Sequence, residues 1–247
     1  AKNTELLVSL STGLIYDTKD DDYEFLKYIL IDVDYLRISI NAGDDRTYKL
    51  ECGGDKDEWN LLWHRINIIQ AVALNHDLYT DIGAGFIVSP TNWNSIYKFC
   101  WKCMKAGLDF VHIRPAYMED DADLMQLLPE IEDLCDRSIR DFKHKIDIYA
   151  IKDKFDGYWT PRQFTKCQST MLSAVVLATG DVVLCQDVFD SFGNINNDDF
   201  ETIWNDDKHI EVIENINLSK CPRCVETQQN ILIQKVFEED KMRRFLL

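Results

Sequence analysis

The sequence is short of positive charge. Lysine and arginine number 27 against 43 aspartates and glutamates, a formal charge of −16. So acidic a chain is poorly matched to nucleic acid or an anionic membrane surface, since both demand neutralising cations. No apolar run is long enough to span a bilayer, and no basic, apolar, small-residue leader opens the chain, so a cytoplasmic location is expected. H-E-x-x-H, G-x-S-x-G and a phosphate-binding glycine loop are all missing. The five histidines, His64, His76, His112, His144 and His209, do not cluster. These absences remove the common signatures of metalloprotease, serine hydrolase and nucleotide chemistry. Only His112 falls where a site is expected, and a satisfied core histidine is the plainer reading of it.

What is present is a foldable chain of 247 residues, 46% apolar and 11% aromatic, enough for a large core in one or two domains. Residues 1–150 alternate strand-like and helix-like segments, the pattern of βα units around a parallel sheet. Strands are expected at Glu5–Leu10, Tyr35–Ile40, Ile82–Val88, Phe110–Ile113 and Ile146–Ile151. Helices are expected at Asp20–Ile29, Glu58–Leu74, Trp93–Lys105 and Leu124–Phe142, the last broken or begun afresh at Pro129. The stretch from Gly43 to Gly53-Gly54 reads as a polar loop.

Strands buried on both faces are usually continuous apolar runs, so polar residues of one parity are informative. Arg37, Ser39 and Asn41 share one side of the second strand, and His112 and Arg114 share one side of the fourth. If the sheet curls toward a barrel, these residues line its mouth at the strand C-termini, where ligands bind. Edge positions or salt bridges to helices are the alternative.

Eight cysteines without a leader suggest a reducing compartment, where thiols serve as metal ligands or core filler. Cys100 and Cys103 lie among Ile96, Phe99 and Met104 at helical spacing and read as core. Cys167, Cys185, Cys221 and Cys224 differ. Cys167 precedes a hairpin, Ser173–Leu177 and Val182–Cys185, that turns through Ala178-Thr179-Gly180-Asp181 and ends on Cys185. Asp198, with Glu201 three residues on, reads as the cap of a short helix carrying Ile203 and Trp204. A second helix, 208–216, leads into Cys221-Pro222-Arg223-Cys224. Four soft thiolates at a hairpin and a turn suit zinc or an iron-sulfur cluster. Residues 225–247 read as one further helix, with Ile231, Leu232, Ile233, Val236 and Phe237 as its apolar side.

The blocks Cys167, Ala178 to Cys185, Phe192-Gly193-Asn194-Ile195, Phe200 to Trp204 and Cys221-Pro222-Arg223-Cys224 resemble the C-terminal SPASM or "twitch" region of radical SAM enzymes. The earlier chain resembles the barrel of the same superfamily. Leu36 to Gly43 is similar to its fourth strand, whose serine, here Ser39, contacts S-adenosylmethionine (AdoMet). Asp81 to Asn92 is similar to the fifth strand and Val111 to Tyr117 to the sixth. Two departures stand out: Thr12 in a Ser11-Thr12-Gly13 turn that is usually Thr-Asn-Gly, and Cys52 near Gly53-Gly54, where many members carry an arginine for the methionine carboxylate. The defining C-x-x-x-C-x-x-C loop appears nowhere in the sequence.

The resemblance implies an α/β fold: residues 1–160 a partial TIM-like (β/α) barrel whose first βα units are absent from this chain, and 161–247 a small hairpin-plus-helix twitch/SPASM domain. It implies one auxiliary 4Fe-4S cluster on Cys167, Cys185, Cys221 and Cys224, acting as an electron acceptor. It implies AdoMet and a second 4Fe-4S cluster in the complete protein, with Arg37, Ser39, Asn41, His112 and Arg114 on the cofactor side. The reaction implied is oxidative modification by a 5′-deoxyadenosyl radical. The substrate would be a ribosomally made peptide, else a sugar or aminocyclitol, with flavodoxin or ferredoxin as reductant. The acidic loop Glu119–Asp123 could meet a cationic substrate, although a charge run is more often merely solvated. The rival from another class is a non-catalytic scaffold or binding protein with a structural zinc site of four cysteines.

Overall fold

The computed structural model describes residues 7–13, 23–116, 122–150, 162–221, 224 and 226–237. The chain divides into two units, Ala1–Phe155 and Asp156–Leu247. In the first, β1 (Ser9–Thr12), β2 (Tyr35–Ser39), β3 (Asp81–Val88), β4 (Phe110–Pro115) and β5 (Asp147–Ala150) pair in chain order as one parallel sheet. Parallel neighbours need long return connections. These are α1 (Tyr23–Asp32), then α2 (Asp45–Cys52) with α3 (Lys56–Asn75), then α4 (Ile96–Lys105), then α5 (Ala122–Gln126) with α6 (Leu128–Phe142). Pro129 stands in the first turn of α6, where its missing N–H costs nothing.

Strand parity decides where the core sits. Leu36, Ile38, Ile40, Ile82, Ala84, Phe86, Val88, Val111 and Ile113 are buried on one side of the sheet. Ile66, Ile69 and Val72 of α3 and Phe99, Cys100 and Cys103 of α4 are buried with them, and Phe86 meets Phe99 with ring centroids 4.9 Å apart. Cys100 and Cys103 are therefore core, and burial pushes the Cys100 thiol up to about 12. The opposite side carries Tyr35, Arg37, Ser39, His112 and Arg114, all half-buried or exposed.

The expected loop after Gly43 is corrected to a helix, α2. Asp44 caps it, accepting from the Thr47 N–H at 2.9 Å, and Gly53 closes it at φ 72°. Burial alone would raise the Asp44 carboxyl, but Lys98 at 2.9 Å and Thr47 overrule it and hold the group at about 2. Apolar periodicity is weak in α2, so its caps were the stronger signal.

Gly43 is a close-approach position. A β-carbon there would lie 2.3 Å from the Ser95 carbonyl oxygen and 3.0 Å from the Phe99 nitrogen. These are backbone atoms that cannot swing away. Gly43→Ala should therefore cost about 1–3 kcal/mol, as core overpacking does. Thermal unfolding should show a midpoint several degrees lower, and an unchanged midpoint would mean that the β3–α4 connection yields freely.

The second unit is built on a three-stranded antiparallel sheet, β6 (Val175–Val176), β7 (Asp181–Cys185) and β8 (Val188–Asn194). The turn between β6 and β7 holds Gly180 at φ 87°, which glycine adopts without steric cost. The third strand was not expected: the Phe192-Gly193-Asn194 block is part of β8, returning against β7 through bulges. Gly193 lets Ile203 approach, since a β-carbon there would sit 2.4 Å from that side chain. Short helices follow at α7 (Phe200–Trp204) and α8 (Asp207–Glu214). The cap of α7 is Asp199 and not Asp198; it accepts from the Thr202 N–H at 2.9 Å. Val182, Leu184, Phe192 and Ile203 form a small core, and His209 stacks on Phe192 at 4.3 Å while donating from Nδ1 to the Trp204 carbonyl.

The tail forms α9 (Thr227–Phe237). Its expected apolar side is only partly covered: Ile233 is buried, whereas Leu232 and Phe237 are exposed. The ends of several expected elements fall outside the described residues, namely 5–6 of the first strand, 20–22 of the first helix, 151 of the last strand and 238–247 of the tail. Glu119–Asp121 of the acidic loop, Tyr117, Pro222 and Arg223 lie outside them too.

Candidate metal centre

The four late cysteines come from three separate pieces of the second unit. Cys167 stands just before a 3-10 turn, Ser169–Met171, and Cys185 ends β7. Cys221 follows another 3-10 turn, Leu218–Lys220, and Cys224 lies three residues before α9. All four are free thiols of intermediate exposure. They line one cavity of about 30 Å³, with Arg162, Phe164, Val188 and Leu218 among its other walls. That is more than the ~10–15 Å³ a single water needs.

Burial raises the thiols of Cys185, Cys221 and Cys224, and each is raised further by a neighbouring sulfur, Cys167 in every case. The Arg162 guanidinium opposes this at Cys221 and Cys224. Arg162 is fixed by donating to the carbonyls of Leu218 and Cys221. Four half-buried sulfurs that would repel one another as thiolates are suited to a cation that discharges them. Among the described residues no three His, Cys, Asp or Glu side chains stand at the spacing of a single ion's ligands. A tetrahedral zinc would draw its sulfurs to about 3.8 Å from one another, given Zn–S near 2.3 Å. The donor set is shared around one cavity, and four soft thiolates are the ligands that zinc and iron-sulfur clusters select. Two N–H groups already point at sulfur: the Asp187 backbone at Cys185, 3.5 Å, and the Asn230 amide at Cys224, 3.8 Å. Donors of this kind tune thiolate-ligated clusters.

Sequence reasoning missed Arg162 and Asn230. The second left a trace, because Asn230 stands three residues before Ile233, on the face that the helix buries.

In the first unit, Arg37, Ser39, His112 and Arg114 come to one face of the sheet, through the registers Arg37 to Gly83, Ser39 to Gly85 to His112, and Ile87 to Arg114. Gly83 leaves room for the Phe110 ring, and the Arg37 stem passes over Gly85, 3.5 Å from where a β-carbon would stand. Tyr35 stacks on Phe110 at 4.5 Å, and its hydroxyl lies 3.3 Å from His112 Nδ1. Burial lowers the Arg114 guanidinium, and repulsion from Arg37 lowers it further. Asn41 is committed elsewhere: at φ 55° its side-chain oxygen accepts from the Ile87 N–H at 2.8 Å, and its carbonyl accepts from Asn92. It builds the end of β3, leaving its amide N–H groups as its contribution to a ligand. Cys52, where the resemblance suggested an arginine, is an exposed thiol directed at the Ile40 carbonyl.

Residues 167–225 match the SPASM family, an iron-sulfur cluster-binding domain. This segment is of the SPASM type. No curated protein matches the chain. In fold the chain is similar to Streptococcus suis SuiB bound to S-adenosylmethionine, with a TM-score of 0.58 and 12% identity over 85% of this chain and 50% of that one. It is also similar to native anSMEcpe with bound AdoMet, at 0.54 and 14% over 86% and 60%, and to SuiB bound to precursor peptide SuiA, at 0.55 and 13% over 85% and 50%. At such identities the likeness is one of fold. The chain spans about half the length of SuiB and three-fifths of anSMEcpe. The fold thus agrees with the radical SAM resemblance: a parallel α/β sheet of barrel type, then a SPASM-type segment with its small antiparallel sheet and four cysteines.

Proposed function

We propose that this chain is the later part of a radical SAM enzyme that oxidatively modifies a peptide, with one auxiliary 4Fe-4S cluster held by Cys167, Cys185, Cys221 and Cys224. The observation that carries the reading is that these four free thiols, spread over 58 residues, line one cavity within the SPASM-type segment. With four protein thiolates such a cluster keeps no open iron site, which suits an electron acceptor better than a substrate-binding centre. The protein's part is to bury the centre, direct the Asp187 and Asn230 N–H groups at sulfur, and hold Arg162 beside it.

AdoMet, when reductively cleaved, supplies a carbon radical that abstracts a substrate hydrogen. The residues that would hold it are Ser39 and the cationic pair Arg37 and Arg114, with His112 and the free amide of Asn41 beside them. The fit lies in the electrostatics: two guanidiniums repel one another on a polar face, and among the described residues neither makes an ion pair. An anionic group such as a methionine carboxylate relieves that repulsion. A peptide substrate is supported by the similar SuiB structure that holds precursor peptide SuiA. Flavodoxin or ferredoxin is the fitting reductant, and the cytoplasm is the compartment in which such thiols stay reduced.

The test is an anaerobic preparation of the protein assayed for iron, sulfide and zinc, then incubated with AdoMet and dithionite. About four irons and four sulfides bound to the late cysteines, with 5′-deoxyadenosine released by the protein carrying its AdoMet-cleaving cluster, is the expected result. Zinc without iron would return the scaffold reading.

A further inference from the structure

Asn230 is fully buried on α9, a helix on which Ile233 is the other buried residue. Its Oδ1 accepts from the backbone N–H of Gln168 at 2.6 Å and of Ser169 at 3.0 Å. Its Nδ2 lies 3.1 Å from Ser169 Oγ, 2.9 Å from the Glu226 carbonyl and 3.8 Å from Cys224 Sγ. The amide orientation follows from chemistry. Two backbone N–H groups can only donate, so the atom facing them is the oxygen, and the NH2 must face the carbonyl and the sulfur. Gln168 and Ser169 directly follow Cys167, while Glu226 and Thr227 closely follow Cys224. One side chain therefore fastens together two stretches about sixty residues apart, those that carry the first and last thiols of the cavity.

We propose that Asn230 is a positioning residue of the thiol centre: its oxygen clamps the segment after Cys167 to α9, and its N–H is a hydrogen-bond donor to the Cys224 sulfur of the bound cluster. It lies five residues beyond the SPASM-matched segment, which ends at 225. The donor role rests on the iron-sulfur reading above, whereas the clamp stands on the hydrogen bonds alone. Loss of the clamp leaves two backbone N–H groups unpaired at a buried site and frees the Cys167 end, so both ligation and local order suffer.

Two variants separate the roles. Asn230→Asp keeps an acceptor for Gln168 and Ser169 but has no amide nitrogen, and Asn230→Leu has neither. Each is made in the whole chain, checked for native circular dichroism, and reconstituted anaerobically with iron and sulfide. Asn230→Leu should bind several-fold less iron than the native chain, with Asn230→Asp clearly above it. In protein grown with asparagine labelled with ¹⁵N in the side-chain amide, pulsed EPR of the reduced auxiliary centre should show a ¹⁵N coupling that vanishes in Asn230→Asp. Native iron content in Asn230→Leu overturns the clamp, and iron-loaded native protein without the coupling overturns the donor role. A native chain that takes zinc and no iron defeats the iron-sulfur reading and the donor role together. The clamp is then judged by zinc content, which Asn230→Leu should still lower several-fold.

Discussion

Cys185→Ser should strip the auxiliary centre of its iron. Three thiols and a serine hydroxyl are a harder and incomplete donor set for a cluster that selects soft thiolates. Visible absorption and bound iron should fall by about one cluster's complement. Cys100→Ser and Cys103→Ser should instead leave that iron in place, because both thiols are core filler under α4. Cys103→Ser should lower the unfolding midpoint by placing a hydroxyl in an apolar site at a cost of about 1–3 kcal/mol, and Cys100→Ser should lower it less, because Ser138 stands ready as a hydrogen-bond partner. The late cysteines and the Cys100/Cys103 pair are thereby told apart by opposite readouts. The pH dependence has a fixed sign. Burial raises the thiols of Cys185, Cys221 and Cys224, so near neutral pH the metal-free chain holds them protonated, and each must lose its proton to ligate. Iron uptake should therefore climb as the pH rises toward the thiols' raised range and weaken on acidification. Undiminished iron in Cys185→Ser, with loss in Cys100→Ser, would move the centre to the Cys100/Cys103 pair.

Where the sequence spoke clearly, it did so through periodicity. The parallel sheet was legible because β2, β3 and β4 are apolar on one parity and bordered by long amphipathic helices, and the polar parity of Arg37, Ser39, His112 and Arg114 marked the open face. What escaped notice lacked a period. Helix α2 is built from polar residues between a capping aspartate and a left-handed glycine, so its evidence is in its ends. Strand β8 is interrupted by bulges and by Gly193, which breaks the alternation by which a strand is recognised. The Asp198 cap failed by one residue, because two adjacent aspartates offer the same side chain and only the local backbone chooses between them.

The candidate site divides in the same way. The four cysteines that line its cavity could be grouped from the sequence because cysteine is rare enough for spacing to carry meaning. Its supports, Arg162 and Asn230, were not, because each contacts residues about sixty positions away and no local pattern encodes a contact of that range. Asn41 shows the converse. Its place beside Ser39 suggested ligand binding, but a left-handed backbone and an accepted hydrogen bond from Ile87 give its oxygen a structural task.

Arg114→Met should leave the resting protein as stable as before, or more stable, while weakening its hold on AdoMet by about tenfold or more. The stability half follows from what Arg114 endures: burial first and the Arg37 charge second both act against its cation, and among the described residues no carboxylate pairs with either arginine. In a chain with an excess of 16 negative charges, a neutralising partner would have been easy to supply. Two like charges kept together on an open sheet face are a local cost that a ligand relieves, the pattern expected where function opposes stability. The binding half follows from the strength of a charge-assisted hydrogen bond, about 1.5–3 kcal/mol, at about 1.4 kcal/mol per tenfold in affinity. Arg37→Met should act in the same direction, and the double variant should lose less than the sum, because the second guanidinium is no longer opposed by the first. Thermal unfolding and calorimetric titration with AdoMet of the cluster-loaded protein read the two halves separately. A variant that unfolds earlier and binds as well as the native protein would make Arg114 an ordinary structural cation, and the polar face would then have to hold its ligand through Ser39 and His112 alone.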